Sequence, residues 1–173
     1  MSERTFIIGA TVFASATFLA SYFLIKDHLY HKNRKDTLQR TAKLQSKITE
    51  IRYSFESLIH DNVKEAADML KQFNDSEYDP RLAKRIDTQL LGIPEMMLRL
   101  LEQLDGVRQR DILPTDKEPE EWEMELFHKL KRKKKSLIEK INKEMNRLDE
   151  MHKAFQVDLV NREKVAAEKL EDL

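Results

Sequence analysis

The stretch LFHKLKRKKKSLIEKINKEMNRLDEMHKAFQVDL, residues 126–159, decides the fold. Leu126, Leu130, Leu137, Ile141, Met145, Leu148, Met151, Phe155 and Leu159 recur in steps of three, four or seven, and charged side chains fill most other positions. That spacing puts one apolar stripe on a helix, and the stripe must be buried against partners. The helix is expected to begin near Pro119 and Trp122 and to continue almost to Leu170. Its last part, 161–173, either projects, frays or supports self-association through a coiled coil.

Working back along the chain, Leu82, Ile86, Leu90, Ile93, Met97, Leu100, Leu104 and Val107 mark a second amphipathic stretch. Gly92 and Pro94 interrupt it, so either the helix kinks there or a fresh segment begins at Pro94. Asp79-Pro80 is a suitable cap and first turn. A first stretch from Leu38 to Phe73 carries Leu44, Ile48, Ile51, Phe55, Leu58, Ala66, Leu70 and Phe73, and Asn74-Asp75-Ser76 ends it. Thr115, Asp116 and Lys117 lie in the loop from Pro114 to Pro119. The expected fold class is all-α: an elongated antiparallel three-helix bundle over 32–160, followed by a helical or frayed extension over 161–173.

The N-terminal segment has a different character. Thr5 to Ile25 holds no charged residue and is bounded by Arg4 and Lys26. As a helix it extends roughly 30 Å, about the thickness of the hydrocarbon layer of a bilayer. It is therefore expected to be a single transmembrane helix, making 1–31 an anchor with its juxtamembrane segment and the lipid bilayer a partner through residues 5–25. A cleaved signal peptide fits less well: cutting after Ala14-Ser15-Ala16 leaves an apolar stub from Thr17 to Ile25. Lys26, Lys32, Arg34 and Lys35 outnumber Arg4, so the basic bias predicts a cytosolic C-terminal domain.

Composition excludes several classes. Thirty-one basic residues balance thirty-one acidic ones, which gives no long-range attraction for nucleic acid, and no nucleic-acid partner is expected. The run Lys131 to Lys135 also lacks interleaved aromatic residues for base stacking. Cysteine is absent, in keeping with a reducing compartment and without thiolate chemistry. Three glycines and four prolines are too few for a β-fold or a phosphate loop. His28 and His31 are a helix-spaced pair without further ligands, His60-Asp61 has no nucleophile beside it, and His128 and His152 read as isolated. No enzymatic activity, metal or cofactor is expected.

Two charged rows complete the pattern. Glu95, Leu98, Glu102 and Asp105 share a face of the second helix, while Lys131, Lys135, Ile138 and Asn142 share one on the third. If these helices are antiparallel neighbours, an acidic ridge lies beside a basic one.

Two blocks carry a resemblance. Glu95-Met-Met-Leu-Arg-Leu-Leu-Glu-Gln-Leu-Asp105 and Lys134-Lys-Ser-Leu-Ile-Glu-Lys-Ile-Asn142, continuing to Leu148-Asp149, resemble the BAG domain. That domain is a three-helix module that binds the ATPase domain of 70-kDa heat-shock chaperones and promotes nucleotide release. An N-terminal span followed by a helical module resembles the layout of the small membrane-anchored fungal co-chaperones of the family. The resemblance implies chaperone contacts at Glu95, Asp105, Lys134 and Asn142, with Arg99, Glu102, Lys131, Lys135 and Ile138 flanking them. Lys134 stands where the family has arginine, and a lysine lacks the planar fork. Asn142 stands where it has glutamine. ADP and any Mg²⁺ would belong to the partner.

The resemblance implies the endoplasmic reticulum or nuclear envelope membrane; one N-terminal span followed by basic residues also fits the outer mitochondrial membrane, the alternative. The competing functional expectation is a membrane-anchored scaffold whose last helix recruits a coiled-coil partner or a second copy, without nucleotide exchange.

Overall fold

The computed structural model describes residues 3–115 and 118–171, with side chains from 21 to 115 and from 118 to 168. Its elements are α1 (Glu3–Leu58), a π turn (Ile59–Val63), α2 (Lys64–Asp75), α3 (Pro80–Asp105), a 3₁₀ turn (Gln109–Ile112) and α4 (Glu121–Glu171), with no strand among the described residues. The chain divides into two compact units, Met1–Ala42 and Lys43–Leu173.

The first unit is helical. The expected span from Thr5 to Ile25 falls largely outside the described side chains, which begin at Ser21. Among the described residues no helix is long and apolar enough to cross a membrane. Tyr22, Phe23, Leu24 and Ile25 are all exposed.

The second unit is the helical bundle. Its first arm is the part of α1 from Lys43 onward, the π turn and α2; α3 and α4 are the other two arms. The first arm was expected as one uninterrupted helix. The π turn has a sequence cause: the buried positions run Ile48, Ile51, Phe55, Leu58 and then skip to Val63, Ala66, Met69 and Phe73. A regular helix would turn Asn62 inward four residues after Leu58. Inserting one residue as a π turn buries Val63 instead and keeps the amide near the surface. From α3, Gln89 donates to the Asn62 carbonyl at 3.4 Å and to Glu65 at 3.2 Å, and Arg85 pairs with Glu65 at 2.7 Å.

At the same turn Asp61 accepts from Ser57 at 2.8 Å and lies 2.9 Å from His60 Nδ1. Those bonds, His60's first and then Ser57's, hold the Asp61 carboxyl below its ordinary value. A lowered value means that the contribution of Asp61 to stability is full above the ordinary carboxylate range and is lost as pH falls through the lowered one. Asp61→Asn is expected to erase this part of the acid limb of a stability-versus-pH profile and to leave the neutral limb in place.

α3 begins where expected. Asp79 accepts from the Arg81 amide at 2.8 Å, and Pro80 occupies the first turn, where its missing N–H costs nothing. Gly92 and Pro94 do not break α3; they lie inside one helix of 26 residues. The apolar stripe of Ile86, Leu90, Ile93, Met97, Leu100 and Leu104 is buried on both sides of Pro94, so packing overrides the bond that proline removes. A methyl group at Gly92 would meet nothing within 4 Å. Gly92→Ala is therefore expected to raise stability by about 1 kcal/mol, measured by urea unfolding, because alanine loses less backbone freedom in a helix.

α4 starts after Glu120. The Glu123 carboxylate reaches back 2.9 Å to the Glu120 amide, a half capping box, which accounts for a carboxylate buried at this position. Leu130, Leu137, Ile141, Leu148 and Phe155 are buried along its stripe, and Val107 and Ile112 plug the end of the bundle from the α3–α4 connection.

Long-range pairs fix the register. Lys134 meets Asp105 and His152 meets Asp87, so equal steps of 18 residues separate the two pairs along α3 and α4. Eighteen residues are five helical turns, which returns each partner to the same line of its helix. α3 and α4 are thus antiparallel and in step. Glu65 opposite Arg85 and Asn62 opposite Gln89 make α2 antiparallel to α3 as well.

The far end is closed by Arg162. Its guanidinium donates to the carbonyls of Phe73 at 2.7 Å, Ser76 at 3.0 Å and Asn74 at 3.0 Å, and it lies 4.7 Å from the centre of the Phe73 ring. A cation at the carbonyl end of α2 satisfies acceptors that the helix leaves open. Beside it Tyr78 donates to Glu163 at 2.9 Å. Arg162→Ala is expected to lower stability by about 2 kcal/mol, since it removes charged hydrogen bonds and a cation–π contact together. Arg162→Lys should recover less than half of that loss in the same urea titration, because an ammonium cannot span three carbonyls.

Candidate functional site

The residues singled out from sequence lie on α3 and α4, and each helix sets the direction of its own. On α3 the buried stripe turns Leu91, Glu95, Leu98, Glu102 and Asp105 outward, at helical spacings of four and three. Leu91, one turn before Glu95, and Leu98, between the acids, are large exposed apolar side chains, 57% and 49% accessible. Glu95 is exposed and paired along its own helix with Arg99 at 2.8 Å.

On α4 the basic run does not form one patch, because successive residues turn by about 100°. Lys134 turns inward: its side chain is 14% accessible, Nζ lies 3.5 Å from Asp105 Oδ1, and it donates to the Val107 carbonyl at 3.3 Å. Lys131 and Lys135 stay exposed, and Lys135 pairs with Glu139 at 3.7 Å. Ile138 packs half-buried against the core, and Asn142 is exposed one turn further on. Arg132, Lys133 and Lys140 turn the other way and line a groove with Ile48, Thr49 and Arg52 of α1.

The Asp105–Lys134 pair therefore joins the two quoted blocks. By the antiparallel register, Asn142 comes opposite the part of α3 between Glu95 and Leu98, while Lys131 and Lys135 flank the Asp105 end. Glu95, Glu102, Asp105, Lys131, Lys135, Ile138 and Asn142 thus share one side of the α3–α4 seam. Lys134 sits half-buried at the seam, with its ammonium near Asp105 and the Val107 carbonyl.

Sequence reasoning treated His152 as isolated. In the fold its Nε2 lies 2.8 Å from Asp87 Oδ1, and Gln156 also donates to that carboxylate. This cluster pins the seam five turns from Lys134. Helical spacing from Lys134 to His152 and from Asp87 to Asp105 was the available signal, but it becomes readable only once two helices are known to be neighbours. Among the described residues no group of three or more histidine, aspartate or glutamate side chains is arranged to hold a metal. The exposed pair of His31 with Asp27, 3.6 Å apart, stays within one helix.

What the seam offers is a face about 15 Å long on α3 between Glu95 and Asp105, acidic with the exposed Leu98 among the acids, bordered on α4 by cations and an amide. Such a face suits a protein partner that presents basic groups around an apolar spot. No family model, no curated protein and no solved structure matches this chain, so the assignment of this face rests on its residues and their geometry.

Proposed function

We propose that the chain is a membrane-tethered co-chaperone that binds the ATPase domain of a 70-kDa heat-shock chaperone and promotes ADP release. The observation that carries this reading is the 3.5 Å approach of Asp105 to Lys134, one residue from each block that resembles the BAG domain. It brings the blocks side by side on antiparallel helices, the arrangement that a two-helix docking face requires. Glu95 and Asp105 engage basic groups on the chaperone. The cations and Asn142 of α4 meet an adjoining lobe. Binding that favours an opened arrangement of the two lobes weakens ADP affinity through linkage, with no covalent step in the co-chaperone.

In this reading Thr5 to Ile25 crosses the membrane once, of the endoplasmic reticulum, the nuclear envelope or the outer mitochondrial membrane, with the helical domain in the cytosol. Tethering raises the local concentration of the docking face near membrane-bound clients. The test is release of labelled ADP from a purified chaperone with and without the full chain in detergent. Faster release at rising co-chaperone concentration is expected; unchanged release at saturation sinks the exchange role.

One observation favours a second reading, an anchored scaffold. α4 continues to Glu171 and exposes Val157, Val160 and Val165 beyond the centre of the bundle. Concentration-dependent dimerisation that disappears on shortening α4, together with absent chaperone binding, would select this alternative.

A further inference from the structure

The resemblance implies that the basic residue at Lys134 touches the chaperone. We infer instead that Lys134 is a positioning residue: from inside the bundle it fixes the Asp105 carboxylate and the last turn of α3 on the docking face. This inference rests on the proposed docking role of Asp105.

Three observations carry it. The Lys134 side chain is 14% accessible while that of Asp105 is 80% accessible, so the two ends of one ion pair face opposite ways: the cation inward, the carboxylate outward. The ammonium also holds the Val107 carbonyl at 3.3 Å, just past the end of α3. Turning outward to a partner would forfeit both acceptors and strand a carbonyl in a half-buried place. Finally, Asp105 is the last residue of α3, where a helix frays most readily. A positive charge near the carbonyl end of a helix interacts favourably with its dipole and opposes fraying.

The substitution of lysine for the arginine of the family then acquires a physical reason. A compact ammonium fits between one carbonyl and one carboxylate, whereas a guanidinium presents a wide planar fork suited to reaching a partner. Cations for the partner are supplied by the exposed Lys131 and Lys135 of the same helix. Holding Asp105 in place before docking removes an ordering cost from the binding step.

The test uses the full chain in detergent. Without any chaperone, Lys134→Met is expected to speed amide exchange at Gly106 and Val107 about tenfold relative to amides in the middle of α3. Unchanged exchange there overturns the inference. With the chaperone ATPase domain, Lys134→Met is expected to weaken binding about fivefold, and to cause almost no further loss in a chain already carrying Asp105→Ala. Equal losses on both backgrounds mean direct contact of Lys134 with the chaperone and overturn it as well. If Lys134→Met unfolds the bundle, Lys134→Gln, which keeps a donor for Val107 but no charge for Asp105, enters the same comparison with the same outcomes. If the unmodified chain does not bind the ATPase domain, the docking reading fails, while amide exchange still decides whether Lys134 holds the end of α3.

Discussion

Phe73→Ala is expected to lower the unfolding free energy of the helical domain by about 4 kcal/mol, the upper part of the range for a buried aromatic residue. Phe73 is fully buried near the end of α2, and its ring meets Phe155 of α4 at 5.4 Å and Tyr78 at 6.4 Å in edge-on geometry. Arg162 lies over the same ring and bonds the Phe73 carbonyl. Truncation therefore opens a cavity where the first arm of the bundle meets α4 and loosens the guanidinium that closes this end. Urea unfolding followed by helical circular dichroism measures the loss. Tyr53→Ala is the control: Tyr53 is 60% accessible, and its removal should change stability by no more than about 0.5 kcal/mol. A loss at Phe73 no greater than that of the control would refute the packing described for this end.

The second large effect is on binding. Changing Glu95 and Asp105 together to alanine is expected to weaken the complex with the chaperone ATPase domain about a hundredfold, or about 3 kcal/mol, while the bundle stays folded. Neither carboxylate is part of the apolar core: Glu95–Arg99 lies on the surface, and without Asp105 the Lys134 ammonium keeps the Val107 carbonyl, so the loss to folding is confined to the end of α3. In a complex the same carboxylates would lose water and meet basic groups, so their truncation tells on affinity and association rate. Titration calorimetry gives the first, and stopped-flow association at two salt concentrations gives the second. Wild-type affinity in the double variant, with wild-type helicity, would remove α3 from the docking face. Leu98→Asp should also weaken binding without unfolding the bundle, because Leu98 already faces solvent.

Helix type, the apolar stripes and the loops were readable along the chain, because each depends on residues within one or two turns of one another. Asp79-Pro80 announces the start of α3, and the stripe from Leu126 to Leu159 announces the packed part of α4. The π turn was also written locally, in the step of five from Leu58 to Val63 with Asn62 at the position a regular helix would bury. It was missed because Ala66 continues a step of eight from Leu58 that looks regular. Pro94 left two outcomes open, a kink or a fresh segment, and the second is removed because buried side chains on both sides hold α3 as one element.

By itself the sequence determined that the chain is helical, which faces are apolar, and which charged residues share a row, because helical periodicity acts over a few residues. Only the tertiary structure decided which rows meet. Register between α3 and α4 is set by packing of whole stripes, which puts Asp105 against Lys134 and Asp87 against His152, pairs that are 29 and 65 residues apart in the chain. The same packing half-buries Lys134 beside Asp105 and the Val107 carbonyl, and gives His152 a partner, Asp87, from a distant part of the chain.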